Sequence, residues 1–147
     1  MKLDQINIEI LRHLRDGRKS FRDIASALSI AENTVRSRVG KMSEEGILDV
    51  AGLVDTEHLT DHSAVFFGVN LANTDLVKKG EEFSRLRGVV SVSIVTGRYD
   101  LLLLTLFDQS YGLVDFVTRE VTRITDVVST EAFVAYRSWN LKVPYIL

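Results

Sequence analysis

Over the first 46 residues the apolar positions form three short sets at helical spacing, each bounded by residues that start or stop a helix. Ile6, Ile8, Ile10, Leu11 and Leu14 include three- and four-residue steps, Asp4 precedes them as a cap, and Asp16-Gly17 ends the run. Ser20-Phe21-Arg22-Asp23 opens a second set as a capping box with Asp in place of Glu, and Phe21, Ile24, Ala25 and Leu28 share one face. Ser29 to Ala31 make a turn. A third helix follows over 32–45, with Val35, Val39 and Met42 facing the other two, and Gly46 stops it.

Beyond Gly46 the pattern becomes extended. Ile47, Leu48, Val50, Leu53 and Val54 favour a hinge strand running to Asp55, and the polar stretch 56–62 (TEHLTDH) is the expected boundary between domains. Val65, Phe67, Val69 and Leu71 then alternate as a strand, and a helix starts at Thr74 or Asp75 and runs through Leu86 to Gly88. Strands are expected over 89–96 and 100–107, joined by Gly97-Arg98-Tyr99 in a hairpin-like connection. A helix over 110–124 carries Leu113, Phe116, Val117, Val121 and Ile124 inward, and a last strand covers 127–136. The fold class is therefore α+β: a three-helix (winged) helix-turn-helix module over 1–47, a hinge strand and linker over 48–62, and a ferredoxin-like βαββαβ domain over 63–147.

In 101–107 both alternating sets are apolar, Leu101, Leu103 and Phe107 against Leu102, Leu104 and Leu106. This describes either a merely hydrophobic central strand or a sheet whose second face a partner subunit covers. The tail 138–147 (SWNLKVPYIL) is apolar enough to dock through Trp139, Val143, Tyr145 and Ile146 on a neighbouring subunit.

Composition narrows the class without deciding it. With 46% hydrophobic and 26% charged residues the chain reads as globular, and with no cysteine it has neither a disulfide framework nor a thiolate metal site. The start MKLDQINIEI lacks the pattern of a signal peptide, and the longest apolar run falls far short of the ~20 residues of a membrane helix, so a cytoplasmic protein without a membrane partner is expected. The net charge of -2 is uneven. Residues 1–50 carry nine Lys/Arg against eight Asp/Glu, and 51–147 carry nine against twelve. Residues 33–41 (NTVRSRVGK) hold Arg36, Arg38 and Lys41 and no acid, which is either a solvated helix face or a stripe for phosphates.

At 100° per residue the side of the third helix opposite its buried stripe carries Asn33, Ser37, Gly40, Lys41 and Glu44, flanked by Thr34 and Arg36. Arg38 falls nearer the buried side and is expected to pair within the module. Gly40, which costs about 1 kcal/mol relative to Ala in a helix interior, fits a face that something approaches closely. A short helix, a tight turn and a second helix with this outer face suit a major groove ~12 Å wide.

The residues from Asp23-Ile24-Ala25 through Leu28 to Met42 and Glu45-Gly46-Ile47-Leu48, with Leu3-Asp4, Ile8, Ile10 and Leu11, resemble the feast/famine regulators, the Lrp/AsnC family. Two positions depart from that family: Ser29 replaces the usual turn glycine and Ala31 the usual serine N-cap. The resemblance implies double-stranded DNA as partner and Ser20, Asn33, Thr34, Arg36, Ser37 and Lys41 as its contacts. Gly97-Arg98-Tyr99-Asp100 between two central strands resembles the same family's sensing domain. That likeness implies sheet-to-sheet dimers, often assembled to octamers, and a small effector such as an amino acid bound at the hairpin.

The hairpin chemistry suits such a ligand. Gly97 admits backbone N–H groups to a carboxylate, Asp100 accepts an ammonium and Tyr99 supplies a wall with a polar tip. A turn-only role, with Gly97 bending the chain and Asp100 capping it, stands beside this reading. The i, i+4 spacing of His58 and His62 would put both on one face if the segment were helical, but no third metal ligand is suggested nearby and exposed linker polarity is the ordinary reading. The chain shows no phosphate-cradling glycine loop, nucleophile elbow or zincin helix, and Glu81-Glu82 lie on a polar surface, so no enzyme activity and no cofactor are expected. The alternative is a sirohaem-decarboxylase-like enzyme, since those proteins resemble this two-domain architecture.

Overall fold

Side chains that precede each helix set the ends of the first three. Asp4 caps α1 (Gln5–Leu14) by accepting the Asn7 N–H at 2.8 Å. Ser20 caps α2 (Phe21–Leu28): its Oγ accepts the Asp23 N–H at 3.1 Å and donates to the Asp23 carboxylate at 2.6 Å. Asp is one methylene shorter than the Glu of a capping box, and it meets the cap at the hydroxyl. These bonds hold the Asp23 carboxyl below its ordinary pKa, the Ser20 hydroxyl first among the causes. Ser29 then adopts the left-handed conformation with φ 55°, where glycine costs less, and Ala31 precedes α3 (Glu32–Glu44) with no side-chain cap.

The structure, a computed structural model, describes residues 2–72 and 75–147, and two compact units divide between Ala51 and Gly52. Thr74, one of the two expected starts of the fourth helix, lies outside the described residues. In the first unit Ile10, Ile24, Val35 and Met42 are fully buried, with Leu3, Leu11, Leu14 and Leu48 packed around them. Ile6 stays exposed, because the inward face of α1 is 7, 10, 11 and 14, so Asn7 rather than Ile6 or Ile8 enters the interior.

The second unit opens on a short strand, β1 (Leu53–Asp55). Its body is β2 (Ser63–Leu71), β3 (Val89–Ile94), β4 (Leu101–Phe107) and β5 (Val127–Val134), a four-stranded antiparallel sheet in the order β3-β4-β2-β5. With α4 (Leu76–Ser84) and the helical segment after Leu113 this is the ferredoxin-like βαββαβ arrangement. Val65, Phe67, Val69, Leu101, Leu103 and Phe107 pack with Phe83, Phe116 and Val121 in its core. Thr105, fully buried among them, donates its hydroxyl to the Val65 carbonyl at 2.8 Å. Lys79 is buried on α4 and donates to Glu82 at 3.0 Å and to Thr125 Oγ1 at 2.9 Å, with Asp126 at 3.6 Å. The acidic partners raise its pKa, Glu82 first.

Several expected elements are altered. The hinge strand shrinks to β1, because Ile47 and Leu48 fold back to donate to the Met42 carbonyl and Leu48 joins the first core. Residues 56–62 form no open linker: Thr56–His58 make a 3₁₀ turn, and the Thr56 N–H donates to Leu141 O at 3.2 Å. The tail contributes β6 (Lys142–Pro144), which pairs antiparallel with β1 and buries Val143 in its own chain. Trp139 and Tyr145 remain exposed. The second expected helix of this unit starts at Leu113 rather than Ser110, because the Asp108 carboxylate accepts the Ser110 and Tyr111 N–H groups in a turn. It runs as α5 (Leu113–Asp115), a π-helical stretch (Phe116–Glu120) and a 3₁₀ turn (Val121–Arg123).

Candidate functional site

The outer side of α3 carries the first group of candidate residues. Asn33, Thr34, Ser37 and Lys41 are all exposed and line one open groove of about 590 Å³, together with Lys2 and Arg38. Arg36 is placed differently: its guanidinium pairs with Glu32 at 2.9 Å and lies 5.4 Å from the centre of the ring of Phe21, the α2 residue that follows Ser20 in the chain. The six candidates thus divide into a groove set of four and an α2 set of two. The Ser20 hydroxyl is engaged in the α2 cap.

Arg38 is drawn inward, as its helical angle predicts. Its Nη1 donates to Asp4 Oδ2 at 2.6 Å and to Asn7 Oδ1 at 2.9 Å, and Asn7 is buried. One Asp4 oxygen takes the Asn7 N–H and the other the guanidinium. The Asn7 N–H first, and Arg38 after it, lower the Asp4 pKa from its ordinary value. This set ties the start of α1 to the middle of α3. Lys2 is the groove residue that periodicity does not find, because it precedes the first helix and has no periodic partner.

The hairpin between β3 and β4 carries the second group. Gly97 has φ 138°, a conformation open to glycine. Asp100 locks the strand ends: its N–H donates to Val69 O at 3.0 Å, its carbonyl accepts from Val95 N at 3.0 Å, and its carboxylate accepts the Leu71 N–H at 2.8 Å. Arg98 and Tyr99 turn instead to Glu131 of β5. The Arg98 Nη2 lies 3.2 Å from Glu131 Oε2, the Tyr99 hydroxyl donates to the same carboxylate, and the Arg98 guanidinium sits 5.5 Å from the Tyr99 ring centre. Hydrogen bonding to Glu131 and then burial push the Tyr99 hydroxyl pKa upward. Glu131 lies 32 residues beyond Tyr99 along the chain and escapes any local motif; only strand register brings it here.

His62 hydrogen-bonds the Thr60 carbonyl at 2.8 Å and the Tyr145 hydroxyl at 3.2 Å. Among the described residues no group of three or more His, Asp or Glu is placed to hold a metal ion, and no helix is long and apolar enough to cross a membrane.

Family models match both units: the AsnC-type helix-turn-helix domain over residues 3–43 and the Lrp/AsnC ligand binding domain over 64–142. The chain belongs to the Lrp/AsnC family. It is a transcriptional regulator with a DNA-binding helix-turn-helix and a ligand-binding domain. Among curated relatives of this Lrp/AsnC protein, an uncharacterized HTH-type transcriptional regulator of Pyrococcus horikoshii is 28% identical over 95% of this chain and 91% of its own. The HTH-type transcriptional regulator Ptr1 of Methanocaldococcus jannaschii is 26% identical over 94% and 95%. The structure of E. coli AsnC superposes with TM-score 0.67 at 21% identity over 94% of this chain and 95% of that one. A Neisseria meningitidis transcriptional regulator solved as an L-Met complex gives TM-score 0.67 at 20% identity, over 99% and 96%. Family and relatives alike point to regulators rather than to the decarboxylase-like alternative.

Proposed function

We propose that this Lrp/AsnC regulator binds specific duplex sequences in the cytoplasm through the outer face of α3, and that a small effector, such as an amino acid, modulates that binding or the protein's assembly. The observation that carries the DNA reading is the convergence of Asn33, Thr34, Ser37 and Lys41 in one open groove while Arg38 is held by Asp4 and Asn7. Asn33, Thr34 and Ser37 are the base readers, near the N-terminal part of the recognition helix. Lys41 serves phosphates from the groove, and Arg36 with Ser20 serves them from the α2 side.

The hairpin Gly97-Arg98-Tyr99-Asp100 is the effector site in this reading, and the L-Met complex of the Neisseria neighbour supports an amino acid as the kind of effector. Its Asp100 carboxylate holds β2 to β4, so the direct charge contacts fall to its neighbours. Phe66, Leu102 and Phe133 leave apolar surface exposed on the sheet face away from the core, and a second copy covers it in a homodimer that assembles further, to an octamer.

Selection of bound genomic fragments supplies the operator, on which salt-dependent titrations then test the assignment. Arg36→Ala and Lys41→Ala should each flatten the log–log salt slope by about 0.9 for every phosphate that the side chain neutralises. Asn33→Ala, Thr34→Ala and Ser37→Ala should change the preferred sequence. Five variants indistinguishable from the parent would show that α3 is not the reading helix.

A further inference from the structure

Strand register defines what the hairpin covers. Gly68 pairs with Leu102 on one side and Glu131 on the other, and Phe66 pairs with Leu104 and Phe133. Phe67 points into the core, so Gly68, Leu102 and Glu131 share the opposite face. A Cβ on Gly68 would lie 2.6 Å from three carbons of the Tyr99 ring. The ring therefore fills the notch left by the missing side chain, edge-on to Phe133 at 6.3 Å between centroids. The Arg98–Glu131 pair and the bond from the Tyr99 hydroxyl hold it at its outer end.

We propose that this set is a latch opened by a zwitterionic amino acid: Glu131 takes the ligand's ammonium, Arg98 takes its carboxylate, and Tyr99 leaves the Gly68 notch. The proposal rests on the hairpin being the effector site and adds which groups meet the ligand and what they release. Arg98 and Glu131 already present opposite charges 3.2 Å apart, the complement of an α-amino acid's two ends. Their side chains are 77% and 43% exposed, so the internal pair contributes little and yields readily to a ligand that forms two charge-assisted contacts. Asp100 is not the exchanging carboxylate, since losing its bond to the Leu71 N–H would open the end of β2. Departure of Tyr99 leaves a hole on the face that also exposes Phe66, Leu102 and Phe133, and so weakens the seat for a second copy.

Titration calorimetry of the full chain with each of the twenty standard L-amino acids, and with the N-acetyl and amide derivatives of any that bind, tests the contacts. Sedimentation velocity with and without the binder tests the coupling. Glu131→Gln and Arg98→Ala should each lose roughly ten- to a hundred-fold in affinity, as for a charge-assisted hydrogen bond removed. Both blocked derivatives should fail on the parent protein. Gly68→Ala, which expels the ring, and Tyr99→Ala, which removes it, should self-associate without ligand as weakly as the liganded parent. Failure of all twenty to bind overturns the effector reading and the latch together. Binding that survives Glu131→Gln and Arg98→Ala unchanged overturns the latch alone. Dependence on both residues, with Gly68→Ala and Tyr99→Ala associating like the unliganded parent, overturns the coupling to the sheet face.

Discussion

Asp4 and Tyr111 show opposite ways in which one polar group acts on stability. Asp4 spends both oxygens on partners inside the first unit, the Asn7 N–H and the Arg38 guanidinium. Its pKa is depressed in the folded state, so its contribution is present above the unfolded value near 3.9 and is lost as pH falls through the folded-state value. Asp4→Asn should therefore melt below the parent at neutral pH, with the gap closing below about pH 4; a gap independent of pH in a melting series would show that the charge is irrelevant. Tyr111 is the reverse. Its ring packs against Phe107 and under the Arg87 guanidinium at 4.4 Å, but its buried hydroxyl has no hydrogen-bond partner among the described residues. A buried hydroxyl left unpaired costs about 1–3 kcal/mol, so Tyr111→Phe should hold or raise the melting temperature. A clear drop would mean the hydroxyl is bonded in solution.

At the scale of elements, the turn between α2 and α3 combines a non-glycine residue at φ 55° with a helix start that lacks a side-chain cap. Ala31→Ser should supply the missing acceptor and stabilise the module by ~1 kcal/mol, and Ser29→Gly should relieve the left-handed strain. Equilibrium denaturation of both single variants and the double checks this; destabilisation by Ala31→Ser would mean that the start of α3 has no room for the hydroxyl. The same element shows why some features could be read in advance. The caps at Asp4 and Ser20, the Val35–Val39–Met42 stripe and the inward turn of Arg38 follow from local spacing at 100° per residue, and so were legible in the sequence. The π-helical stretch at Phe116–Glu120 was not, because 3.6-residue periodicity does not distinguish one added residue per turn. The shortening of β1 follows from Met42 capturing two N–H groups, a competition within the chain that β-propensity ignores. Glu131 was hidden for a different reason: its meeting with Arg98 and Tyr99 depends on β2 lying between β4 and β5, and so on topology.

For the whole molecule, the β1–β6 pair decides where the second unit can be cut. A fragment beginning at Gly52 keeps β1 and the cover over Val143, whereas one beginning at Ser63 strips both. The longer fragment should melt at higher temperature, and it should self-associate through the sheet face; a well-behaved micromolar monomer by light scattering would refute that docking. The pair also fixes the length of a leash. With β1 held, residues 49–52 alone join Leu48, packed on the first core, to β1, a stretch of about 13–14 Å when extended at ~3.3–3.6 Å per residue. Ending the chain after Leu141 removes β6 and frees β1 alone, since the Thr56 N–H still donates to Leu141 O and the Ser138 N–H to Glu57, and the extended reach grows to roughly 23–25 Å. In the proposed homodimer, two heads on such lengthened leashes would find a second half-site at more separations but with lower effective concentration at each. On the proposed DNA reading, the last strand, distant in sequence from every proposed base reader, acts as a ruler for operator spacing.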